Sequence, residues 1–537
     1  MKLNVKKVFF VGFAFFLISM FWQAYDNVIS KMLIDKFGLN QTWSGVVLAI
    51  DNVLALFLLP LFGSLSDNTS SKYGRRTPYI VIGTVIAAFA FISMSFVDNV
   101  QTAKIETETL VVEEYTHVQE MGNTQERTEA SWEAIISAMT AERDASLAAE
   151  TLTQSQYDNW NESIRKPMQE ILDNNEGILL NSFDVSDLKD DYYDYLSMRA
   201  WQMTSQNPAI FIVFIVVLLI ALLSMATFRS PAVALMPDVT IKPLRSKANA
   251  IINLMGSLGG VVTLLFLMAT GLDKISYVNY TPAFIVIGLL MLVFLGIFLW
   301  KVKEPKLVIE KAEEDVKYGL VEAEEPTESK TAKPMPKDIK RSLFLILFSV
   351  FFWFIGYNAV TSKFADYAPK ILQMGYSFPL LVANGTALAA FIPIGIIATK
   401  IGRRKTILIG ITILAFCFGV AVFLTPKVAW LMYAIFGLTG IGWATINVNS
   451  YPMVVELSKS SNVGKYTGYY YTFSMAAQII TPILSGIFMD ELGRKALFPY
   501  AAIFVAISFI TMFLVRHGDA AIPKKASKLE NFDVDMD

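Results

Sequence analysis

One cysteine and two histidines are all that this chain of 537 residues offers as thiolate or imidazole groups. Cys417 alone cannot close a disulfide within the chain. His117 and His517 lie in polar segments far from one another, so no Cys/His metal constellation and no His-activated nucleophile is present, and neither an enzyme, a metal nor a cofactor is expected. Charge is also scarce: 17% of residues are Asp, Glu, Lys or Arg, and the formal net charge is −2. A near-neutral chain without a basic stripe gives no reason to expect nucleic acid as a partner.

What the chain has in abundance is apolar sequence. Hydrophobic residues make up 54% and the mean hydropathy is +0.47. A hydrocarbon core about 30 Å thick takes roughly 20 apolar residues per helix. Twelve such runs lie near 8–29, 43–63, 79–97, 208–235, 247–270, 282–300, 343–362, 377–399, 406–424, 428–450, 466–489 and 496–516. The first is too long, and too polar at its end, for a cleaved signal peptide, and is expected to remain as a helix. Short-loop Lys and Arg then fall on one side: Lys2, Lys6 and Lys7; Lys72, Arg75 and Arg76; Lys242, Arg245 and Lys247; Lys400 to Lys405; and the tail lysines from Lys524. Positive loops mark the cytoplasm, so both termini are expected there, in a plasma (cytoplasmic or inner) membrane.

The chain also repeats itself. Tyr25-Asp26-Asn27-Val28-Ile29-Ser30-Lys31 returns as Tyr357-Asn358-Ala359-Val360-Thr361-Ser362-Lys363, an offset of 332. Each copy closes an apolar run, and each is followed by another run and a basic turn, Gly74-Arg75-Arg76 or Gly402-Arg403-Arg404. Further on, Ala226-Thr227 matches Ala444-Thr445 and Lys247 matches Lys465, an offset of 218. Parallel repeats in a membrane chain point to a transporter with its site between the halves. The expected architecture is therefore an all-α integral membrane protein of twelve transmembrane helices in two pseudo-symmetric six-helix halves.

The drop in offset, 114 residues, measures extra chain in the first half. It corresponds to residues 98–205, an acidic extracytoplasmic insertion between the third and fourth spans. There Trp132, Ile135, Ile136, Met139 and Leu147 recur at helical spacing, and helical hairpins projecting from the membrane are expected. Residues 303–341, rich in Lys, Glu and Pro, read as a mostly disordered cytoplasmic linker. The expected divisions are 1–97, 98–205, 206–302, 303–341, 342–517 and a tail, 518–537.

Gly63-Ser64-Leu65-Ser66-Asp67 followed by Tyr73-Gly74-Arg75-Arg76-Thr77-Pro78-Tyr79-Ile80 resembles the loop between helices two and three of the major facilitator superfamily. The form is closest to that of glycoside-pentoside-hexuronide cation symporters and their sucrose-transporter relatives. Arg229-Ser230-Pro231-Ala232 through Pro237-Asp238 is similar to the end of helix four in the same group. The resemblance covers all the spans and leaves the insertion outside. It implies a sugar transporter. Independently of the resemblance, Asp67 beside Arg75 and Arg76, with Asp238 closing helix four nearby, reads as a set of charged pairs that holds the cytoplasmic side closed and releases when the halves rock; Gly74 and Arg245, and Arg403 and Arg404 in the second half, are assigned to the same gate. The plainer reading of these arginines is anchorage to anionic lipid.

An ionisable group inside a span costs roughly 2.5–3.5 kcal/mol at its centre and marks function by default. Asp26, Asp51 and Arg229 qualify. Asp51, about 12 Å into the second helix at 1.5 Å per residue, has the neutral Asn384 as its repeat partner, so only the first half titrates there; its alternative is a carboxylate that bridges helices. Asp26 is expected near the outer end of the first helix. Trp22, Gln23, Tyr25 and Asn27 accompany it, and its repeat counterpart is Asn358 beside Tyr357. Aromatic faces with amides and carboxylates suit a sugar, although Trp and Tyr near helix ends also serve as interfacial anchors. Arg229, with Asn447 and then Asn449 in the second half, matches an arginine tied to transport in sucrose transporters. Helical counting puts it close to the cytoplasmic interface, where snorkelling is the alternative.

Departures from the family bear on coupling. The sodium-coupled branch carries two acids on one face of helix two where this chain has Ala55 and Leu59, and the sucrose branch has an acid where this chain has Leu218. H+ is thus the expected coupling ion, taken by Asp51 or Asp26. The expected function is proton-coupled import of a glycoside or disaccharide by a monomer in the lipid bilayer. A facilitator or exporter of another small molecule, and a receptor or assembly platform working through the insertion, stand as alternatives. No partner for the insertion can be named.

Overall fold

The computed structural model describes residues 3–106, 129–174, 186–274, 279–318, 336–457 and 463–517. Every regular element among them is helical. The first half contains α1 (Val5–Lys36), α2 (Gln41–Asp67) and α3 (Thr77–Glu106), then the insertion helices α4 (Glu129–Ala148), α5 (154–173) and α6 (Ser186–Gln206), then α7 (Ala209–Val239), α8 (Arg245–Ala269) and α9 (Thr281–Lys301). A short helix, α10 (Glu304–Lys317), leads to the second half: α11 (Lys337–Ile371), α12 (Ser377–Ile401), α13 (Arg403–Ala421), α14 (Leu431–Glu456), α15 (Val463–Leu492) and α16 (Leu497–Phe513). Among the described residues, eleven helices are long and apolar enough to cross a membrane, and α12 adds the shorter apolar stretch Ser377–Phe391. Together they make twelve membrane helices.

The packing repeats as the sequence does. In the first half α1 lies along α8, α2 along α7, and α3 along both α7 and α9; in the second, α11 lies along α15, α12 along α14, and α13 along both α14 and α16. The halves meet where α2 packs on α15 and α8 on α12. Bare backbone allows these approaches. A Cβ on Gly45 would lie 2.1 Å from the Pro482 carbonyl oxygen, and one on Gly486 would lie 2.4 Å from that of Gln41. Within the first half Gly259 likewise meets the Phe16 carbonyl, which gives the glycines of α8 their packing role.

Two expected boundaries move. The first and seventh membrane helices do not end near residues 29 and 362 but run on to Lys36 and Ile371. Their last turns carry Lys31, Asp35, Lys36, Lys363, Asp366 and Lys370, all buried. Hydropathy stops at such charges, whereas the helices continue because Lys370 pairs with Asp35 and Asp366, Lys36 donates to the Thr102 hydroxyl and Lys363 to the Gln41 carbonyl. Residues 304–317 are helical rather than a disordered tether, since Glu304 is held by the turn described below; residues 319–335 lie outside the described residues, as do His117 and the tail lysines.

The insertion folds about its own core. Trp132, Ile135, Ile136 and Met139 of α4 pack with Trp160, Ile164 and Met168 of α5 and with Leu188, Tyr192 and Leu196 of α6, whereas Leu147 stays outside that cluster. Arg199 Nε reaches Glu142 Oε1 at 3.0 Å, and burial lowers the pKa of neighbouring Arg143, which stacks over the Trp160 and Tyr195 rings. The face of the bundle bearing this insertion is called the insertion side, and the face bearing Gly74-Arg75-Arg76 the basic side.

Candidate functional site

A cavity of about 210 Å³ lies between the halves, midway along the helices. The first half contributes Trp22, Tyr25 and Asp26 from α1, Leu48, Asp51 and Asn52 from α2, and Arg229 from α7; the second contributes Asn358, Thr361 and Ser362 from α11 and Gln478 and Pro482 from α15. The α-helical ladder widens to a π-turn over Tyr25–Ile29, so α1 changes winding where it presents Asp26. Single π-turns of this kind recur at functional sites. Asp26 lies far from either end of α1, not near its outer end, because two further turns follow it; its carboxylate opens on the cavity. Arg229 is not interfacial either. Ten more residues of α7 separate it from the end at Val239.

The charged and aromatic groups converge. The Arg229 guanidinium stands 5.7 Å over the Trp22 ring, a cation–π contact. Trp22 meets Tyr25 edge-to-face at 5.3 Å, and the Tyr25 hydroxyl donates to the Leu48 carbonyl at 3.3 Å. Asp51 accepts a 2.8 Å hydrogen bond from Asn52 Nδ2 and is close enough to feel the charges of Arg229 and Asp26. Two acids and one base therefore share one enclosure in a low-dielectric setting, where their interactions are stronger than in water. Among the described residues, Trp22 Nε1 and the Asn358 amide nitrogen are buried donors without a hydrogen-bond partner. One comes from each half, and such groups are costly to leave unmade.

Other expected ligands stand apart. Gln23 faces Gly260, Asn27 Nδ2 donates to the Gln23 carbonyl at 2.7 Å, and Asn449 Nδ2 donates to the Thr445 carbonyl at 2.9 Å. Tyr357 stacks on Trp443 with ring centres 6.1 Å apart. Neither Asn384 nor Asn447 lines this cavity. Leu48, Thr361, Ser362 and Pro482 were not expected; the first repeat named the segment holding Thr361 and Ser362, but only tertiary packing turns them inward.

At the basic side, Arg75 bridges to Asp238 at 2.6 Å and Arg76 to Asp238 at 2.7 Å, while Arg76 also pairs with Asp67. Burial opposes the Arg76 charge, yet the two carboxylates hold its pKa above its ordinary value. Glu304, which sequence reasoning missed, completes the cluster by accepting from the backbone N–H groups of Arg75, Arg76 and Thr77 at 2.7–3.1 Å. Gly74 makes room for it: its φ is +105°, and a Cβ there would fall 2.2 Å from the Glu304 carboxyl carbon. Arg245 lies apart from these acids and caps α7 by donating to the Pro237 carbonyl at 3.2 Å. Arg404 donates to the Phe513 carbonyl. These contacts tie the ends of helices within one half, or a half to α10, and do not join the two halves in this conformation.

The bonds between halves gather at the insertion side. Lys370 Nζ pairs with Asp35 at 2.8 Å, Gln41 Nε2 donates to Asp366 at 2.7 Å, Lys363 Nζ donates to the Gln41 carbonyl at 2.8 Å, and Asp490 accepts from the Gln41 and Thr42 N–H groups at 2.8 and 2.9 Å. The structure is thus closed at that end.

Two repeated six-helix halves around a polar cavity at mid-depth define a membrane transporter. Comparison with known proteins places it more narrowly. A Major Facilitator Superfamily profile matches residues 196–392 and 380–533, and an MFS/sugar transport protein profile matches 10–112. The chain belongs to the major facilitator superfamily, a family of transporters and not of enzymes. Sucrose transport protein SUC4 of Arabidopsis thaliana is 40% identical over 52 residues, 10% of each chain. MFS-type transporter ppzB of Metarhizium rileyi is 24% identical over 28% of this chain and 31% of its own. The chain thus spans between a tenth and about half the length of the curated relatives it matches. The xylose transporter XylE from E. coli superposes with a TM-score of 0.51 at 14% identity over 98% of this chain and 99% of that one. A bacterial homologue of the iron transporter ferroportin gives 0.57 at 11% identity over 95% and 99%.

Proposed function

We propose that this protein imports a sugar, a glycoside or disaccharide, by proton symport through alternating access. The observation that carries the reading is a single cavity lined from both halves, by Trp22, Asp26, Asp51 and Arg229 of the first and by Asn358, Thr361, Ser362 and Gln478 of the second. The amides and hydroxyls of the second half would bond to sugar hydroxyls, the indole would pack on an apolar sugar face, and Arg229 would add a charge-assisted donor. The sugar-transport profile over residues 10–112 and the sucrose-transporter match over 52 residues favour the same substrate class.

Protons enter through Asp51 and Asp26. Taking up a proton neutralises a charge that is costly in a closed cavity, so the loaded site closes more readily than the empty one. Sodium would need several oxygen ligands at one point, and Ala55 and Leu59 occupy the face where the sodium-coupled branch puts its acids. The basic side is assigned to the cytoplasm from its Lys and Arg, which makes this conformation closed outside. Opening outside breaks the Asp35, Asp366, Lys370 cluster. In the complementary state Asp67, Arg75, Arg76 and Asp238, held as one rigid corner by Glu304, meet the second half near Arg403 and Arg404.

The test is reconstitution of the purified protein in vesicles with a pH-sensitive dye, followed by a screen of disaccharides, glucosides and uronides. Alkalinisation outside the vesicles on addition of one sugar class supports the proposal. Silence with every sugar, from protein that retains its fold, refutes it.

A further inference from the structure

The acidic insertion reaches the inter-half seal. Two adjacent residues of α6, Tyr193 and Asp194, touch cations of the second half: the Tyr193 ring lies 5.5 Å from Lys370 Nζ, and Asp194 Oδ1 lies 2.7 Å from Arg494 Nη1. Both cations belong to the seal. Lys370 pairs with Asp35 of α1, and Arg494 Nε reaches Asp366 at 3.2 Å, which in turn accepts from Gln41 of α2. Farther along its length, α6 sits on the first half. Gly38, between α1 and α2, has a φ of +68°, and a Cβ there would collide with the Ser197 carbonyl oxygen and the Trp201 nitrogen, each 2.2 Å away. Lys104 at the end of α3 donates to the Met203 carbonyl at 3.1 Å.

We infer that the insertion is a third body of the transport machinery, a clamp anchored on the first half that holds the second half closed through Tyr193 and Asp194. The inference does not depend on what is transported. Opening on the insertion side moves Lys370 and Arg494 away from Asp35 and Gln41, and α6, fixed to Gly38 and α3, cannot follow both halves. Its contacts with Lys370 and Arg494 are therefore made in the closed state and lost in the open one, which is the differential interaction that shifts a two-state equilibrium. The acidity of this segment also has a use in this arrangement, since one of its carboxylates neutralises Arg494, itself only 5% exposed.

The experiment uses the full chain with Cys417→Ser, in lipid nanodiscs, carrying spin labels at Trp43→Cys and Phe423→Cys, exposed positions in opposite halves at the insertion side. Pulsed dipolar spectroscopy reads the fraction of molecules with the longer inter-half distance. Tyr193→Leu with Asp194→Asn is expected to raise that fraction by about 5-fold or more, at the lower end of ordinary coupling between sites. Asp144→Asn removes an acid from the insertion at its bond to the Tyr157 hydroxyl, within the insertion itself, and is expected to leave the distribution unchanged. A double variant with the parent distribution, or an Asp144→Asn control that shifts as far as the double variant, overturns the inference.

Discussion

Lys370 Nζ sits 2.8 Å from Asp35 Oδ1, and neither side chain has any solvent exposure although the two belong to opposite halves of the chain. Lys370 also pairs with Asp366 at 2.5 Å, so a single ammonium serves one carboxylate of each half. Removing one partner of a buried pair leaves an uncompensated charge and costs about 3–5 kcal/mol, whereas replacing both by neutral groups is far better tolerated.

Lys370→Met should therefore lower the melting temperature of the detergent-solubilised protein sharply. Adding Asp35→Asn to it should recover much of the loss. A double variant as unstable as the single would show that the pair does not act as a unit.

At the cavity, Arg229→Ala removes both the guanidinium and its cation–π contact with Trp22. A lost hydrogen bond to a charged group is worth about 1.5–3 kcal/mol, so substrate binding measured by calorimetry should weaken by about 10- to 150-fold. Arg229→Lys keeps the charge but loses the planar fork, and should fall between the two.

Asn358 and Gln478 represent the second half in the same cavity. Asn358→Ala is expected to raise KM in vesicle uptake, and Gln478→Ala to do so less, because the Gln478 amide already donates to the Ser474 carbonyl at 3.4 Å while the Asn358 amide nitrogen has no partner. Equal effects would argue against the unpartnered donor as the reason for the contact.

Glu304 and Gly74 form one device on the basic side. Glu304→Ala leaves three backbone N–H groups without their acceptor, a cost on the order of 1–3 kcal/mol for each group left buried and unsatisfied. Gly74→Ala meets the same carboxylate from the other direction and adds a strained φ. Both should lower thermal stability, and the two losses combined should be less than additive, as for residues sharing one contact.

The helix count, the repeat and the position of the insertion were legible because each depends on local composition or on comparison of the chain with itself. Trp22, Tyr25, Asp26, Asp51, Arg229 and Asn358 were legible for a related reason: polar groups inside apolar runs stand out. What the sequence hid were groups whose meaning lies in a partner hundreds of residues away. Asp35, Asp366 and Lys370 look like the ends of spans until Arg494 and Gln41 are brought beside them. Glu304 looks like one acid among many in a charged linker until the turn at Gly74 presents its amides. Asn449 and Tyr357 show the converse, since the Asn449 amide nitrogen bonds to its own helix and the Tyr357 ring stacks on Trp443.

The central claim is that a carboxylate in this cavity couples protons to sugar. Asp51→Asn, reconstituted in vesicles with an imposed pH gradient, tests it most directly, with accumulation and counterflow of labelled sugar measured on the same preparation. The account predicts that accumulation is lost while exchange of sugar across the membrane continues; accumulation against a gradient by Asp51→Asn, with substrate-induced proton uptake intact, would contradict the assignment of Asp51 as the coupling residue.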